Sequence, residues 1–236
     1  MLHNDFAAFI ITLVLSIAWL RFVGYAVIRK WIPGSISRKV IHIGTGPLFV
    51  LCWLLFEQAI GGKFLAVIVP LTSTVQFGLA GLGIIKDDPS VQSMSRTGIK
   101  GELLKGPFLY GIAFIIITLI FWKNTPVGIC ALMILCGGDG LAGIFGRKYG
   151  KIKLPWAKEK TWMGSLSMFI GGYLLSAVMI WIFNYFGVIG VNLGVFLPKL
   201  IIVVFLSTLI ESLSKSDIDN ITVPLTAVIS GVLVNL

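Results

Sequence analysis

The chain is short of charge. Lys, Arg, Asp and Glu make up 12% of its 236 residues, while 57% are hydrophobic; soluble domains carry about 25% charged residues. At half that level a globule of this length lacks the polar surface to face water, which excludes a soluble domain and makes lipid part of the solvent. Cysteine is scarce as well. Cys52, Cys130 and Cys136 all sit in apolar runs and none forms a CxxC pair, so free, buried thiols are expected. No GxxxxGK[ST] occurs, so any nucleotide must be held without a P-loop. Gly138-x-Gly140-x-x-Gly143 matches the dinucleotide fingerprint in letters only, because the run before it suits a membrane helix and not the strand that motif needs. Residues Met1 to Asp5 carry no positive n-region, no Arg/Ser-rich extension precedes the first apolar run, and that run is long enough to span. No cleavable signal is therefore expected, and the plasma membrane of a bacterium or archaeon, or a mature organellar form, is the expected location.

What the chain does have is long apolar runs. A transmembrane helix needs about 20 apolar residues, and eight runs qualify as candidates: 6–28, 40–56, 64–85, 103–122, 126–146, 163–186, 196–213 and 221–236. The second and last are short. The runs are continuous and do not alternate, which favours helices over a barrel. The expected fold is all-α: one polytopic integral membrane domain over 1–236, with about seven or eight transmembrane helices.

The formal net charge of +9 suggests nucleic acid until its placement is read. Arg29, Lys30, Arg38 and Lys39 follow the first run; Lys86, Arg96, Lys100 and Lys105 follow the third; Arg147, Lys148, Lys151, Lys153, Lys158 and Lys160 follow the fifth. The alternate loops hold only Lys63, Lys123 and Lys199. By the positive-inside rule the N-terminus lies outside, the basic loops face the cytosol, and no nucleic-acid partner is implied. The acids Asp87, Asp88, Glu102, Asp139, Glu159, Glu211, Asp217 and Asp219 fall on that same side, although Asp and Glu contribute little to orientation. A face rich in both signs suits a metal–polyphosphate complex, and equally an ordinary solvated surface.

Three segments carry chemistry. Asp139 ends an apolar run, where an ionised carboxylate costs about 2.5–3.5 kcal/mol and is usually paired or functional. On a helix Asp139, Gly143 and Arg147 share one face, and Gly138, Ala142 and Gly146 line the next. Those small residues make either a glycine-lined groove for a ligand or a close-packing face against another helix. The second segment, 151–165, is basic; Pro155 breaks regular structure, and Thr161 is placed to cap the next helix. Thr161, Gly164 and Ser165 then lie at the positive end of that helix, suited to phosphate, while the lysines alone read equally as a topogenic loop touching anionic lipid. The third segment holds Glu211, with Lys215 four residues on, then Asp219 and Asn220 at the start of the last helix. Mg²⁺ takes one or two carboxylates plus waters and substrate phosphates, so Asp139 with Asp219 or Glu211 suffices if their helices meet; the plain alternative is an N-cap by Asp219 or Asn220. Less specific are Arg38, Lys39 and His42, one helical turn apart, and Arg96, Glu102 and Lys105 around the fourth run.

Taken in order, Arg38-Lys39-x-x-His42-x-Gly44-Thr45-Gly46-Pro47, Ser93-Met94-Ser95-Arg96, Glu102-Leu103-Leu104-Lys105-Gly106-Pro107, Gly138-Asp139-Gly140-Leu141-Ala142-x-x-x-Gly146-Arg147, Lys160-Thr161-Trp162-x-Gly164-Ser165 and Asp219-Asn220-x-Thr222-Val223-Pro224 resemble the phytol kinase branch of the polyprenol kinase family, which includes dolichol kinases. The resemblance runs from about 38 to 224. Its specific part is the Gly-Asp-Gly block joined to Lys-Thr-Trp-x-Gly-Ser. It implies phosphoryl transfer, typically from CTP with a divalent metal, to the hydroxyl of a long isoprenoid alcohol in the bilayer. On that footing Asp139, Asp219 and Asn220 hold Mg²⁺, Glu211 supports the metal or the acceptor, and a carboxylate such as Asp219 takes the alcohol proton. Arg147, Lys151, Lys153 and Lys160, with Gly138, Gly140, Thr161, Gly164 and Ser165, receive the nucleotide. Met163 departs from relatives that carry Glu there, so any role of that Glu must be absent or filled by Glu159 or Glu211. The competing expectations are a CTP-dependent cytidylyltransferase making a CDP-lipid and, from a different class, a membrane transporter with Asp139 and Glu211 as ion ligands.

Overall fold

The structure is a computed structural model that describes residues 4–57, 60–215 and 218–236; Asp217, counted above among the acids, lies outside the described residues. Among the described residues seven helical stretches are long and apolar enough to cross a membrane: 5–28, 36–55, 61–82, 100–121, 126–149, 162–185 and 193–213. The eighth expected span is a shorter apolar helix, Asp219–Leu233. The chain divides into two compact units, residues 1–119 and 120–236.

The first unit contains α1 (Asp5–Ile28), α2 (Gly34–Cys52), α3 (Ile60–Leu82), the short α4 (Asp88–Met94) and most of α5 (Gly106–Phe121). Asn4 starts α1 by accepting the Phe6 and Ala7 amides at 3.0 and 3.2 Å. Asp87 starts α4 by accepting the Ser90 amide at 3.2 Å. Side-chain caps of this kind satisfy amides that the first turn of a helix leaves without partners. Val23, Ile41, Ala80, Met94 and Leu103 form a buried core that joins α1, α2, α3 and α4. Phe6, Val14, Ile17 and Phe22 of α1 remain exposed, as side chains facing lipid do.

The second unit is built on one stretch, α6 (Pro126–Met133), a π-helical turn (Ile134–Asp139) and α7 (Gly140–Tyr149). Of its most apolar window 78% is buried, against 22–50% for the other six spans, so this stretch is the axis of the unit. α8 (Trp162–Tyr185), α9 (Leu193–Leu213) and α10 (Asp219–Leu233) pack around it. Glycine sets the approach of α8. A Cβ on Gly137 would lie 2.8 Å from the Gly171 carbonyl oxygen, and one on Gly171 would lie 2.7 Å from that of Gly137, so the two backbones touch and neither position admits a side chain. Gly138 lies on the same seam, its Cβ position filled by the Met168 sulfur. The small-residue face is thus used for helix packing there, the second of the two uses its spacing allows.

The expected all-α fold carries one addition. Lys153–Leu154 (β1) and Ala157–Thr161 (β2) pair antiparallel as a small hairpin, where Pro155 alone suggested an irregular loop. Pro155 sits at its turn, outside the ladder, where the missing amide costs nothing. Leu154 is buried between exposed neighbours and pins the hairpin to the unit.

Candidate active site

Most of the sequence-derived candidates fall in the second unit, and the fold gathers their elements. The π turn that ends in Asp139 packs against α8, α9 and α10, and β2 packs against both α8 and α9. A π turn holds one residue more per turn than an α-turn and is frequent at functional sites. Asp139 is 4% exposed, Glu211 7%, Asp219 8% and Asn220 3%. Asp139 starts α7 without a side-chain capping bond. At α10 the capping position belongs to Ile218, also without one, and Asp219 and Asn220 are the first two helical residues. The capping alternative for Asp219 and Asn220 is therefore not the role the fold gives them. The Asn220 amide donates to Asp219 Oδ1 at 3.4 Å, and the hydroxyls of Ser214 and Thr222, 2.7 Å apart, tie the end of α9 to the start of α10.

Lys160 and Glu211 meet. The ammonium lies 2.7 Å from Glu211 Oε1 and also donates to the Glu211 backbone carbonyl. A cation at the last turn of α9 complements the helix dipole, and it shares the Glu211 carbonyl with the Ser214 amide, which donates to it at 3.2 Å. Beside it the Trp156 indole N–H donates to Ser212 Oγ at 3.2 Å. Together these contacts fasten the hairpin to α9. Lys160, expected to neutralise phosphate, and Glu211, expected to support the metal or the acceptor, are thus ion-paired with each other. Trp156 and Ser212 were absent from the expected set; an aromatic residue beside a proline in a run of lysines is the signal that points to them.

Thr161 caps α8 as its position suggests, accepting the Gly164 amide at 3.0 Å. One residue further, Ser165 Oγ is buried with no hydrogen-bond partner. A buried hydroxyl without a partner costs about 1–3 kcal/mol, so at the positive end of a helix it favours an acceptor such as a phosphate oxygen. Gly164 packs on Gly146 of α7. Gly140 is buried just after Asp139. Arg147, Lys151 and Lys153 are exposed around α7 and the hairpin, as are Lys148 and Lys158.

The less specific candidates belong to the first unit. Arg38 and Lys39 are each 8% exposed, and His42 is 1% exposed with its ring 4.1 Å from that of Tyr110. The Glu102 carboxylate accepts the Arg96 and Thr97 amides and the Thr97 hydroxyl, which orders the loop before α5. Arg96 and Lys105 are exposed.

Among the described residues no group of three or more His, Cys, Asp and Glu side chains is placed to hold a metal. Two buried carboxylates and an amide oxygen, Asp139, Asp219 and Asn220, are hard oxygen donors of the kind Mg²⁺ takes when substrate phosphates and waters complete its shell. In chemistry and number this donor set fits that ion.

Comparison with known proteins bears on the same chain. No family model matches it, and no solved structure does. The farnesol kinase, chloroplastic, of Arabidopsis thaliana is 39% identical over 232 residues, 98% of this chain and 75% of that protein. The chain belongs to the phytol kinase family. Phytol kinase 1, chloroplastic, of the same plant is 37% identical over 207 residues, 87% of this chain and 68% of that one. A probable phytol kinase, chloroplastic, of Triticum aestivum is 42% identical over 199 residues; these are 84% of this chain and 66% of the wheat protein's length. These plant proteins overturn the expected bacterial or archaeal plasma membrane. Family members named here are chloroplastic, which points to a chloroplast membrane. Loop charge orients a chain across a membrane but is blind to which membrane that is.

Proposed function

We propose that the protein phosphorylates the hydroxyl of a membrane isoprenoid alcohol, with CTP as donor and Mg²⁺ as metal. What carries this is the placement of Asp139 and Asp219: two carboxylates buried in one compact unit, at helix starts that neither of them caps. A carboxylate inside a membrane protein costs about 2.5–3.5 kcal/mol, and two of them kept buried in one compact unit support a role in chemistry. The names of the relatives, phytol kinase and farnesol kinase, supply the acceptor class, since both alcohols are isoprenoid. CTP follows from the family resemblance.

Phosphoryl transfer depends on positioning and on stabilising charge, and needs no covalent enzyme intermediate. Asp139, Asp219 and Asn220 would hold the metal, which when bound neutralises charge on the phosphates. Arg147, Lys151 and Lys153 attract the polyphosphate, and the Thr161–Ser165 start of α8 offers it donors. Asp219 is the candidate to take the alcohol proton. Lys160 and Glu211 hold the hairpin that presents these groups. The test is purified protein with labelled CTP, Mg²⁺ and a panel of phytol, geranylgeraniol, farnesol and a longer polyprenol, with both products identified. CDP and a prenyl monophosphate are expected. Pyrophosphate and a CDP-lipid would overturn the kinase in favour of a cytidylyltransferase.

A further inference from the structure

Residues 150–161 leave one membrane span, 126–149, and enter the next, 162–185, so the hairpin they form begins and ends at the same membrane surface. Its contacts set its depth. Trp156 donates to Ser212, and Lys160 pairs with Glu211; both partners belong to the last turn of the span 193–213. The hairpin is therefore held level with the end of a membrane helix, where the headgroups lie. There it leaves apolar surface uncovered: Ile152 is 70% exposed, Trp156 52% and Trp162 52%. The three are contiguous. The Trp162 amide donates to the Ile152 carbonyl at 3.1 Å, and the two indoles pack edge to face with ring centres 5.8 Å apart. Ser212 engages the Trp156 N–H, so what that ring leaves open is hydrocarbon. The same stretch exposes Arg147, Lys148, Lys151, Lys153 and Lys158 against one exposed acid, Glu159.

We infer that this hairpin docks on anionic phospholipid headgroups of the membrane its own spans cross, with Ile152, Trp156 and Trp162 in the interface and Lys148 and Lys158 against the headgroup charge. Indole rings favour the headgroup layer, and lysines beside apolar groups add attraction to anionic lipid. The Lys148 ammonium already lies over an aromatic ring, that of Tyr149, 5.1 Å from its centre. Depth decides against an acidic protein in solution, which would have to enter the headgroup layer to cover Trp156. The surplus of exposed cations decides against zwitterionic lipid, whose headgroup offers no net charge to answer it. Lys148 and Lys158 lie outside the set proposed to attract the polyphosphate, so the lipid contact stands apart from the kinase reaction.

The experiment uses full-length protein in nanodiscs with bimane attached at Ile152→Cys; the native Cys52, Cys130 and Cys136 are buried and stay unlabelled in the folded protein. Phosphatidylglycerol and phosphatidylcholine carrying the same nitroxide high on the acyl chain are compared as quenchers at equal mole fraction. Both should quench, and phosphatidylglycerol should be preferred about tenfold, since each cation near an anionic surface contributes up to about fivefold. Lys148→Gln/Lys158→Gln should bring that preference below about twofold. Emission quenched by neither lipid would place the hairpin in water and overturn the docking. Equal quenching by both lipids, or an unchanged preference in the double variant, would overturn the anionic assignment. Quenching relieved by CTP with Mg²⁺ would give the patch to the nucleotide and overturn the proposal as well. The readout is lipid contact, so a protein that phosphorylates no prenol would leave each of these outcomes as decisive as before.

Discussion

Replacing Lys160 with Met removes one partner of the Lys160–Glu211 pair. The side chains are 17% and 9% exposed and their charged atoms are 2.7 Å apart. A fully exposed pair contributes about 0–1 kcal/mol, whereas breaking a buried one costs about 3–5 kcal/mol because the surviving charge stays desolvated. The burial here lies nearer the second case, so a loss of roughly 2–4 kcal/mol is expected. In a chain of this size that lowers the unfolding midpoint by roughly 5–15 °C. The double variant Lys160→Met/Glu211→Leu replaces the pair by apolar neighbours and should recover most of the loss, since a buried ion pair exchanged whole for apolar groups is often neutral. A fluorogenic maleimide provides the assay: Cys130 and Cys136, 1% and 0% exposed in the second unit, react only as that unit opens. Because Lys160 is assigned to anchoring the hairpin, the double variant should also keep prenol-dependent turnover. A single variant as stable as the parent, or a double variant as unstable as the single, would refute the assignment.

Gly171→Val places a branched side chain against the Gly137 carbonyl, whose oxygen is 2.7 Å from the new Cβ; we expect a loss above about 3 kcal/mol, read as an early maleimide transition, while Gly61→Ala, whose Cβ meets nothing within 4 Å, leaves that transition in place. Asp87→Ala removes the cap of α4 at a cost of about 1 kcal/mol and should speed hydrogen exchange at the Val91 and Ser95 amides. Burial pushes the Asp87 carboxyl up, but hydrogen bonds from Ser90 and Gln76 and the Arg21 charge together bring it below its ordinary 3.8. Its contribution is therefore fully present above pH 3.8 and is lost as pH falls through the lower folded value, a loss the Ala variant should not show.

The spans were legible because lipid demands long apolar runs, and seven of the eight stand as helices of spanning length. Asp139 was legible for the converse reason: a carboxylate at the end of such a run is conspicuous. The π turn before it was not, since in a uniformly apolar stretch a change from four-residue to five-residue hydrogen bonding alters no pattern of hydrophobic and polar positions. The hairpin was obscured by Pro155, which marks a turn as readily as a break. Lys160 and Glu211 are 51 residues apart, and pairing at that separation is decided by how β2 packs on α9. Local spacing instead offered Lys215, four residues from Glu211, as the natural partner.

The deciding measurement is the turnover of Asp139→Asn, a nearly isosteric change that removes one charge. Prenol-dependent release of CDP by the purified variant should fall by about 10²-fold or more, while its maleimide-detected unfolding midpoint stays at or above that of the parent. Release of CDP at the parental rate would exclude the Asp139 carboxylate from the reaction and, with it, the buried acid pair as the seat of the chemistry.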